Sequence, residues 1–240
     1  MGRRLAFYQA LIGAALALGV IGTAAAEDQA PPLSPAQIAL FESDHLKSIT
    51  KPVRLDYAFD HHGGSGDFTD KVSETIREVH EDGGKDVAVE FLTGEHQTNF
   101  PPVNGFHGNP VLMYFLEHDV FELRQATGGA ATYFRNRIRR AFLDGADVHP
   151  TEVSVDGKKQ AATEIVITPF RNDAQIGRFP GVADKSYSFV LCDAVPGTIY
   201  RISTSVPKPA APTDAATPAA PVPAAFEESM TYSGEHDATP

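Results

Sequence analysis

The stretch that decides the fold is "NPVLMYFLEHDVFELRQATGGAATYFRNRIRRAFLDG", which runs from Asn109 to Gly145. It holds two segments of helical length, separated by the pair Gly128-Gly129. Asparagine suits the cap position before a helix, proline suits the first helical turn, and glycine commonly follows the last turn. The pattern therefore predicts two consecutive helices, the first ending at Gly128 and the second at Gly145.

The first of these helices has an apolar side that contains one carboxylate. Residues at helical spacing form this core-facing side: Leu112, Phe115, Leu116, Val120 and Leu123. Asp119 falls within the same arc of the helical wheel. Because an unpaired carboxylate is costly to bury, we expect Asp119 to form an ion pair with Arg135 or Arg139 of the second helix.

The second helix carries four arginines within six residues: Arg135, Arg137, Arg139 and Arg140. They occupy its polar side, opposite an apolar arc that includes Phe134, Ile138 and Phe142. Two interpretations remain open. The arginines are either a solvated face whose stems cover apolar surface, or a binding site for a phosphate, a lipid head group or an acidic partner.

Alternating apolar residues predict strands on both sides of the helical pair. Before it, residues 53–59 alternate, and Gly83-Gly84 is predicted to join two further segments in a hairpin. The first arm of that hairpin also fits helical spacing, but the compact turn favours a strand. After the helices come four alternating segments: "TEVSVDG", "KKQAATEIVITPF", "KSYSFVLCDAV" and "GTIYRISTSV". This order predicts an α+β domain, a curved antiparallel sheet with two central helices packed on one face.

The N-terminal residues 1–26 have the features of a secretory signal peptide. Arg3 and Arg4 precede an apolar run, and Ala24-Ala25-Ala26 offers cleavage after Ala26. The alternative is an uncleaved membrane anchor, because the apolar run approaches spanning length. We expect an exported, periplasmic protein with no integral membrane segment once the signal is removed.

The rest of the chain is predicted to contain one domain between two segments of different composition. Residues 27–35 are predicted to be a linker and 36–206 a single domain, with Ser34 and Pro35 marking a helix start. Residues 207–240 are rich in proline and alanine, which predicts a disordered tail.

Composition and motifs restrict the chemistry that we expect. The formal charge of −11 over 240 residues argues against nucleic acid as a partner. The single cysteine, Cys192, lies in an alternating apolar run and is predicted to be a buried strand residue. There is no G-x-S-x-G, S-x-x-K or P-loop motif. We predict no catalytic residue and no cofactor.

The histidines do not form a recognisable metal-binding pattern in the sequence. His61-His62 is the best pair among nine histidines. Adjacent side chains diverge in a strand, so the two would need a third ligand from elsewhere to bind one metal. His118 is expected on the helix surface. We predict no metal site.

Three segments resemble a family of uncharacterised exported proteins from Gram-negative bacteria: "VEFLTGE", "GNPVLMYFLEHDVFELRQATGGAATYFRNRIRRAF" and "DAVPGTIYRISTSVP". The resemblance covers most of residues 45–206 and implies a periplasmic protein, but it transfers no catalytic residues. The order of elements is also similar to lipoprotein-carrier proteins, in which helices close a curved antiparallel sheet.

Three functions follow as hypotheses. The first is a non-enzymatic periplasmic binding or carrier protein for an apolar or anionic ligand, such as a lipid or acyl chain, held by a concave sheet under the helices with the arginine helix at the rim of the site. The second is an envelope interaction protein that docks an anionic partner through that helix. The third is a hydrolase with an unrecognised site. An apolar cavity of several hundred Å³ would favour the first, and a filled core the second.

Overall fold

The computed structural model describes residues 32–63, 66–179, 181–207 and 226–238. The expected signal peptide and most of the 27–35 linker lie outside these residues, so both stay predictions. Within the described ranges, no helix combines the length and the apolar character needed to cross a membrane.

The described residues contain three helices that begin where the sequence predicts, and the second and third of them also end as predicted. Their bounds are α1, Pro35–Gln37, continued by a π-helical turn, Ile38–Glu42; α2, Pro110–Thr127; and α3, Ala131–Asp144. Ser34 caps α1 by accepting a hydrogen bond from the backbone N–H of Gln37. Asn109 caps α2 in the same way, and Gly128 ends it in the left-handed conformation with φ 69°. Glycine adopts this conformation without the steric cost that other residues meet.

The other elements among the described residues are ten strands and two short 3-10 turns, Gly94–His96 and Ile176–Arg178. The bounds of the strands are β1, Val53–Gly63; β2, Phe68–Val79; β3, Lys85–Phe91; β4, Thr98–Asn99; β5, Val103–Phe106; β6, Asp147–Val155; β7, Lys158–Ile167; β8, Ser186–Leu191; β9, Ile199–Val206; and β10, Phe226–Asp237. The segment with two open interpretations is therefore the strand β2, joined to β3 through the Gly83-Gly84 turn.

The ten strands form one antiparallel sheet in the order β4-β3-β2-β1-β10-β9-β8-β7-β6, with β5 also paired to β3. Side chains of α2 and α3 pack against inward residues of the strands in the main core: Phe115 meets Phe59, and Phe142 meets Phe189. The predicted class is confirmed: the fold is α+β, a curved antiparallel sheet with two central helices on one face. A smaller apolar cluster contains Cys192, which is buried as expected.

The prediction that residues 207–240 are a disordered tail is wrong for β10. This strand lies between β1 and β9, near the middle of the sheet. Its inward residues are Glu228 and Met230, so only one of the two has the apolar side chain that marks a buried strand position. The Pro- and Ala-rich composition of the preceding residues concealed this short alternation. The domain therefore extends to residue 238, and residues 208–225 lie outside the described part of the chain.

Candidate functional site

A groove with a volume of about 620 Å³ lies between α1, α2 and α3, and we call it the helix groove. The described residues that line it are Gln37, Phe41, Phe100, Met113, Tyr114, Leu116, Glu117, Val120, Arg135, Ile138, Arg139 and Phe142. Its lining is mostly apolar, and its volume lies in the range of sites for small ligands. Helix residues and the loop residue Phe100 form this groove, and no described strand residue lines it, whereas the first hypothesis from the sequence placed the ligand between the sheet and the helices.

Helical periodicity explains why these side chains share one groove. Four of the residues from α2 are Met113, Leu116, Glu117 and Val120, and the fifth, Tyr114, directly follows Met113. Those from α3 are Arg135, Ile138, Arg139 and Phe142. Both sets follow the spacing i, i+3, i+4, i+7, which places side chains on one face of a helix. The groove is therefore the meeting place of two helical faces.

Aromatic contacts hold the two ends of the groove in place. Phe41 from the π-helical turn packs edge-on against Phe142, with ring centroids 5.1 Å apart. Phe100 stacks on Tyr114 at 4.3 Å. The Tyr114 hydroxyl donates a hydrogen bond to the carbonyl of Pro101 at 2.5 Å. Aromatic pairs of these geometries stabilise a wall beyond the burial of their area.

Two of the four arginines lie at the rim of the groove. Arg135 donates from Nε and Nη2 to both carboxylate oxygens of Glu117, at 2.6–3.0 Å. This pairing holds α2 to α3 across the groove, and it raises the pKa of Arg135. Arg139, one turn further along α3, forms no ion pair with any described residue. The rim thus has one paired and one accessible guanidinium group.

The other two arginines point to separate structural contacts. Arg137 Nε lies 3.0 Å from Asp173 Oδ2 and donates to the carbonyl of Pro169, which ties the loop after β7 to α3. Arg140 forms an i, i+4 pair with Asp144 on the helix surface. The predicted anion site of four arginines is therefore divided, and the anion-binding role stays a prediction for Arg135 and Arg139.

The predicted ion pair between Asp119 and Arg135 or Arg139 is wrong. Asp119 is fully buried, as expected, but Lys185 Nζ lies 2.8 Å from its Oδ1 and the Tyr187 hydroxyl donates to its Oδ2 at 2.6 Å. Its side chain faces the sheet, whereas Arg135 and Arg139 face the groove. The helical wheel predicted that Asp119 was inside, but it could not tell the sheet from the neighbouring helix as the source of the partner.

Asp119 belongs to a larger group between α2 and the sheet, which we call the buried polar cluster. It consists of His61, His118, Asp119, Lys185, Tyr187 and Glu228, all nearly inaccessible to solvent. Strand register explains the meeting of three of them, because His61 lies opposite Glu228, Glu228 opposite Thr204, and Thr204 opposite Tyr187. Residues opposite each other in an antiparallel sheet project to the same face.

The histidine-carboxylate contacts of this cluster favour ionised groups. His61 Nδ1 lies 2.9 Å from Glu228 Oε1, and its Nε2 lies 3.2 Å from the carbonyl of Gly63. Glu228 and the carbonyl together favour the imidazolium form, which raises the pKa of His61 despite burial. Burial would raise the pKa of Glu228, but the two imidazoles and Lys185 outweigh it and lower that pKa to about 2.

The position of His118 differs from the expectation that it lies on the helix surface. It is buried between Phe59 and Phe91, and its Nε2 lies 3.6 Å from Glu228 Oε1. Neither ring nitrogen forms a hydrogen bond with a described residue. A sequence signal was present for His61, which continues the alternation of Tyr57 and Phe59. Nothing local marked Glu228 as its partner.

A further carboxyl group is buried near the other end of α2. Glu74 lies at an inward position of β2, between Val72 and Ile76. Tyr57 donates a hydrogen bond to its Oε2 at 3.4 Å, and its Oε1 has no partner among the described residues. Burial raises the pKa of Glu74 to about 8, although Asn109 and Tyr57 act in the opposite direction. This side chain is therefore protonated at neutral pH.

The described residues contain no group of three histidine, cysteine or acidic side chains arranged to hold a metal ion. His61, His118 and Glu228 lie close together, but they interact with one another within the buried polar cluster. The positive charge of Lys185 also lies close by. The cluster is thus a set of interlocking structural contacts, whereas the helix groove is open to solvent.

No protein-family model matches the chain, and no curated protein matches it. Among solved structures, the chain is similar to the lipoprotein LppX of Mycobacterium tuberculosis, with a TM-score of 0.35 and 11% identity over 86% of this chain and 98% of that one. It is also similar to a LolA-superfamily protein from Nitrosomonas europaea, with a TM-score of 0.22 and 10% identity over 85% and 94% of the two chains. At these values the likeness concerns the general layout, and the ligand of this chain must be inferred from its own residues. The resemblance to an exported Gram-negative family stays a prediction.

Proposed function

We propose that the protein is a non-enzymatic binding or carrier protein for an amphiphile with an apolar chain and an anionic head group. The observation that carries this proposal is the helix groove, which has a mostly apolar lining, a volume of about 620 Å³ and an exposed Arg139 at its rim. The expected signal peptide adds a periplasmic location to the proposal.

The apolar part of the ligand is inferred from side chains that the fold leaves uncovered. Phe41 is 39% exposed and Met113 is 38% exposed, although both are large and apolar. They lie together in one groove with the more buried Leu116, Val120 and Ile138. A contiguous apolar surface of this kind commonly marks a binding site. An alkyl chain lying in the groove would remove it from water.

The anionic head group is inferred from the sign of the charge at the rim. The chain as a whole is acidic, with a formal charge of −11, so a positive rim is a local exception. A guanidinium fork suits carboxylate and phosphate groups, and Arg139 has no competing carboxylate among the described residues. Arg139 would therefore hold the head while the groove holds the chain.

The role of the groove can be tested with alkyl carboxylates of 8, 10 and 12 carbons, measured by calorimetry below their micelle concentrations. Each buried methylene contributes about 0.8 kcal/mol, so the affinity should rise about fourfold per carbon. Met113→Glu should weaken binding of dodecanoate at least tenfold. Phe121→Glu is the matched control, because Phe121 is an exposed apolar residue of the same helix that does not line the groove. Equal losses in the two variants would contradict the proposal.

The role of the rim can be tested with Arg139→Gln, for which Arg140→Gln is the control on the same helix outside the groove. Loss of a charge-assisted hydrogen bond should weaken dodecanoate binding about tenfold and leave dodecanol binding unchanged. Binding that depends on head-group charge but not on chain length would support the interaction hypothesis instead. Failure of the wild-type protein to bind any of these amphiphiles would refute the carrier proposal.

A further inference from the structure

We infer that Glu117 sets the charge selectivity of the helix groove, so that the preferred ligand has a head group with one negative charge rather than two. This inference rests on the proposed function, since it concerns the head group bound at the same rim. It names the ligand class as a monoanionic amphiphile, either a carboxylate or a phosphodiester, in preference to a phosphomonoester.

The first step is the geometry of the ion pair. Arg135 engages both oxygens of Glu117 through Nε and Nη2, with the shortest contact at 2.6 Å. The edge of a guanidinium group formed by Nε and Nη2 can make one bidentate pair with a carboxylate, and Glu117 already occupies this edge of Arg135. Arg135 is thus already neutralised by a partner from the opposite wall, and it can offer an incoming head group only its remaining donors.

The second step is the net charge of the groove. Only three of its described lining residues carry a charge: Glu117, Arg135 and Arg139. Two guanidinium groups and one carboxylate leave one net positive charge at the rim. A head group with one negative charge balances it, whereas a second negative charge would lie close to the Glu117 carboxylate without a cation of its own.

The third step is the place of Arg139. It follows Arg135 by one helical turn, so the two side chains are neighbours on the groove face of α3. Without Glu117, this face would present two adjacent guanidinium groups, the arrangement that a phosphomonoester dianion prefers. Glu117 therefore converts a site suited to a dianion into a site suited to a monoanion.

The test compares three ligands of equal chain length at pH 8: dodecanoate, dodecyl methyl phosphate and dodecyl phosphate. The monoester is dianionic there because its second pKa is about 6. In Glu117→Gln, the affinity for dodecyl phosphate relative to dodecyl methyl phosphate should rise about tenfold over the wild-type ratio. The ratio of dodecanoate to dodecyl methyl phosphate in the wild-type protein then distinguishes a fatty-acid ligand from a phospholipid ligand.

Asp144→Asn is the matched control, because it frees Arg140 on the same helix and changes the net charge of the protein equally, yet Arg140 lies outside the groove. It should leave the ratio of the two phosphates unchanged. Glu117→Ala provides a second variant, with circular dichroism as the check of folding. An unchanged ratio in both Glu117 variants, with dodecanoate still bound, would overturn this inference and leave the proposed function standing. Absence of binding by the wild-type protein would overturn both.

Discussion

Two acidic residues of α2, Glu117 and Asp119, form ion pairs on opposite sides of the helix. They are only two residues apart in the sequence, but their surroundings differ. Glu117 faces the helix groove, and its pair with Arg135 is 40% and 45% exposed at the two side chains. Asp119 faces the sheet, and its pair with Lys185 is 0% and 3% exposed. Water screens the first pair and leaves it worth a fraction of a kcal/mol, whereas removal of one partner from the second leaves a buried charge.

The two pairs therefore differ in how much the stability of the fold depends on them. Substitutions are expected to be tolerated at the exposed groove and to be destabilising in the buried interior. Under the proposed function, substitution at the groove should change what binds there without a large effect on folding. Substitution in the buried polar cluster disturbs contacts among α2, β1, β8 and β10, because each of these elements, or the residue just before it, contributes a member. The predictions below test that difference, from the largest expected effect to the smallest.

The largest effect is expected for Asp119→Ala. Without this carboxylate, the Lys185 ammonium and the Tyr187 hydroxyl lose their shared buried partner, which should lower the free energy of unfolding by about 3–5 kcal/mol. Urea denaturation measures this loss. Glu117→Ala, two residues away on the exposed side, should cost less than about 1 kcal/mol. Similar costs at the two positions would contradict the contrast between buried and exposed pairs.

A smaller effect is expected from the pH dependence of the Glu228–His61 pair. The pKa of Glu228 is lowered from 4.5 to about 2, so its stabilising contribution is present above pH 4.5 and is lost as the pH falls toward 2. The pKa of His61 is raised, so its contribution is present below pH 6.5 and is lost as the pH rises through the folded-state value. The pair should therefore stabilise the fold most between these limits, near pH 5–6, by about 3 kcal/mol.

The test of this pair is the difference in unfolding free energy between the wild-type protein and Glu228→Gln, measured from pH 3 to pH 8. The difference should be greatest near pH 5–6 and smaller at both ends. A difference that does not vary with pH would show that the two groups are not ionised in the folded protein. His62→Gln is a suitable control, because the neighbouring His62 is largely exposed.

The smallest effect has the opposite sign and concerns Glu74. Its pKa is raised from 4.5 to about 8, so the folded protein holds a proton that the unfolded chain releases above pH 4.5. Stability should therefore fall as the pH rises from 4.5 to 8. Glu74→Gln resembles the protonated form and should stabilise the protein by about 2 kcal/mol at pH 6, with little change at pH 4. Thermal unfolding at the two pH values measures this; a destabilised variant at pH 6 would contradict the buried, neutral carboxyl group.

Local sequence signals were sufficient for most of the secondary structure. Asn109, Pro110 and Gly128 bound α2 because capping depends on residues adjacent in the chain. The alternation of Val53, Leu55, Tyr57 and Phe59 predicted β1 because a half-buried strand repeats every two residues. The same reasoning failed for β10, whose inward Glu228 has no apolar character and whose neighbours resemble a linker.

The candidate site shows the same limit for side-chain partners. The helical wheel separated Arg135 and Arg139 from the apolar core, but it could not show that Glu117 pairs with Arg135 or that both arginines share a groove with Phe41. It placed Asp119 inside without identifying Lys185, which lies 66 residues further along the chain. Partners this distant depend on the order and register of strands, and no local pattern encodes those.

The sequence by itself determined where α2, α3 and most of the strands begin, the class of the fold and the inward position of Asp119. These features arise from steric preferences and burial along a single segment, which neighbouring residues specify. The tertiary structure alone decided that β10 lies beside β1, that His61 meets Glu228, and that two helical faces enclose an apolar groove with one accessible arginine. These features require segments distant in the chain to come together, and the free energy that selects them is distributed over the whole core.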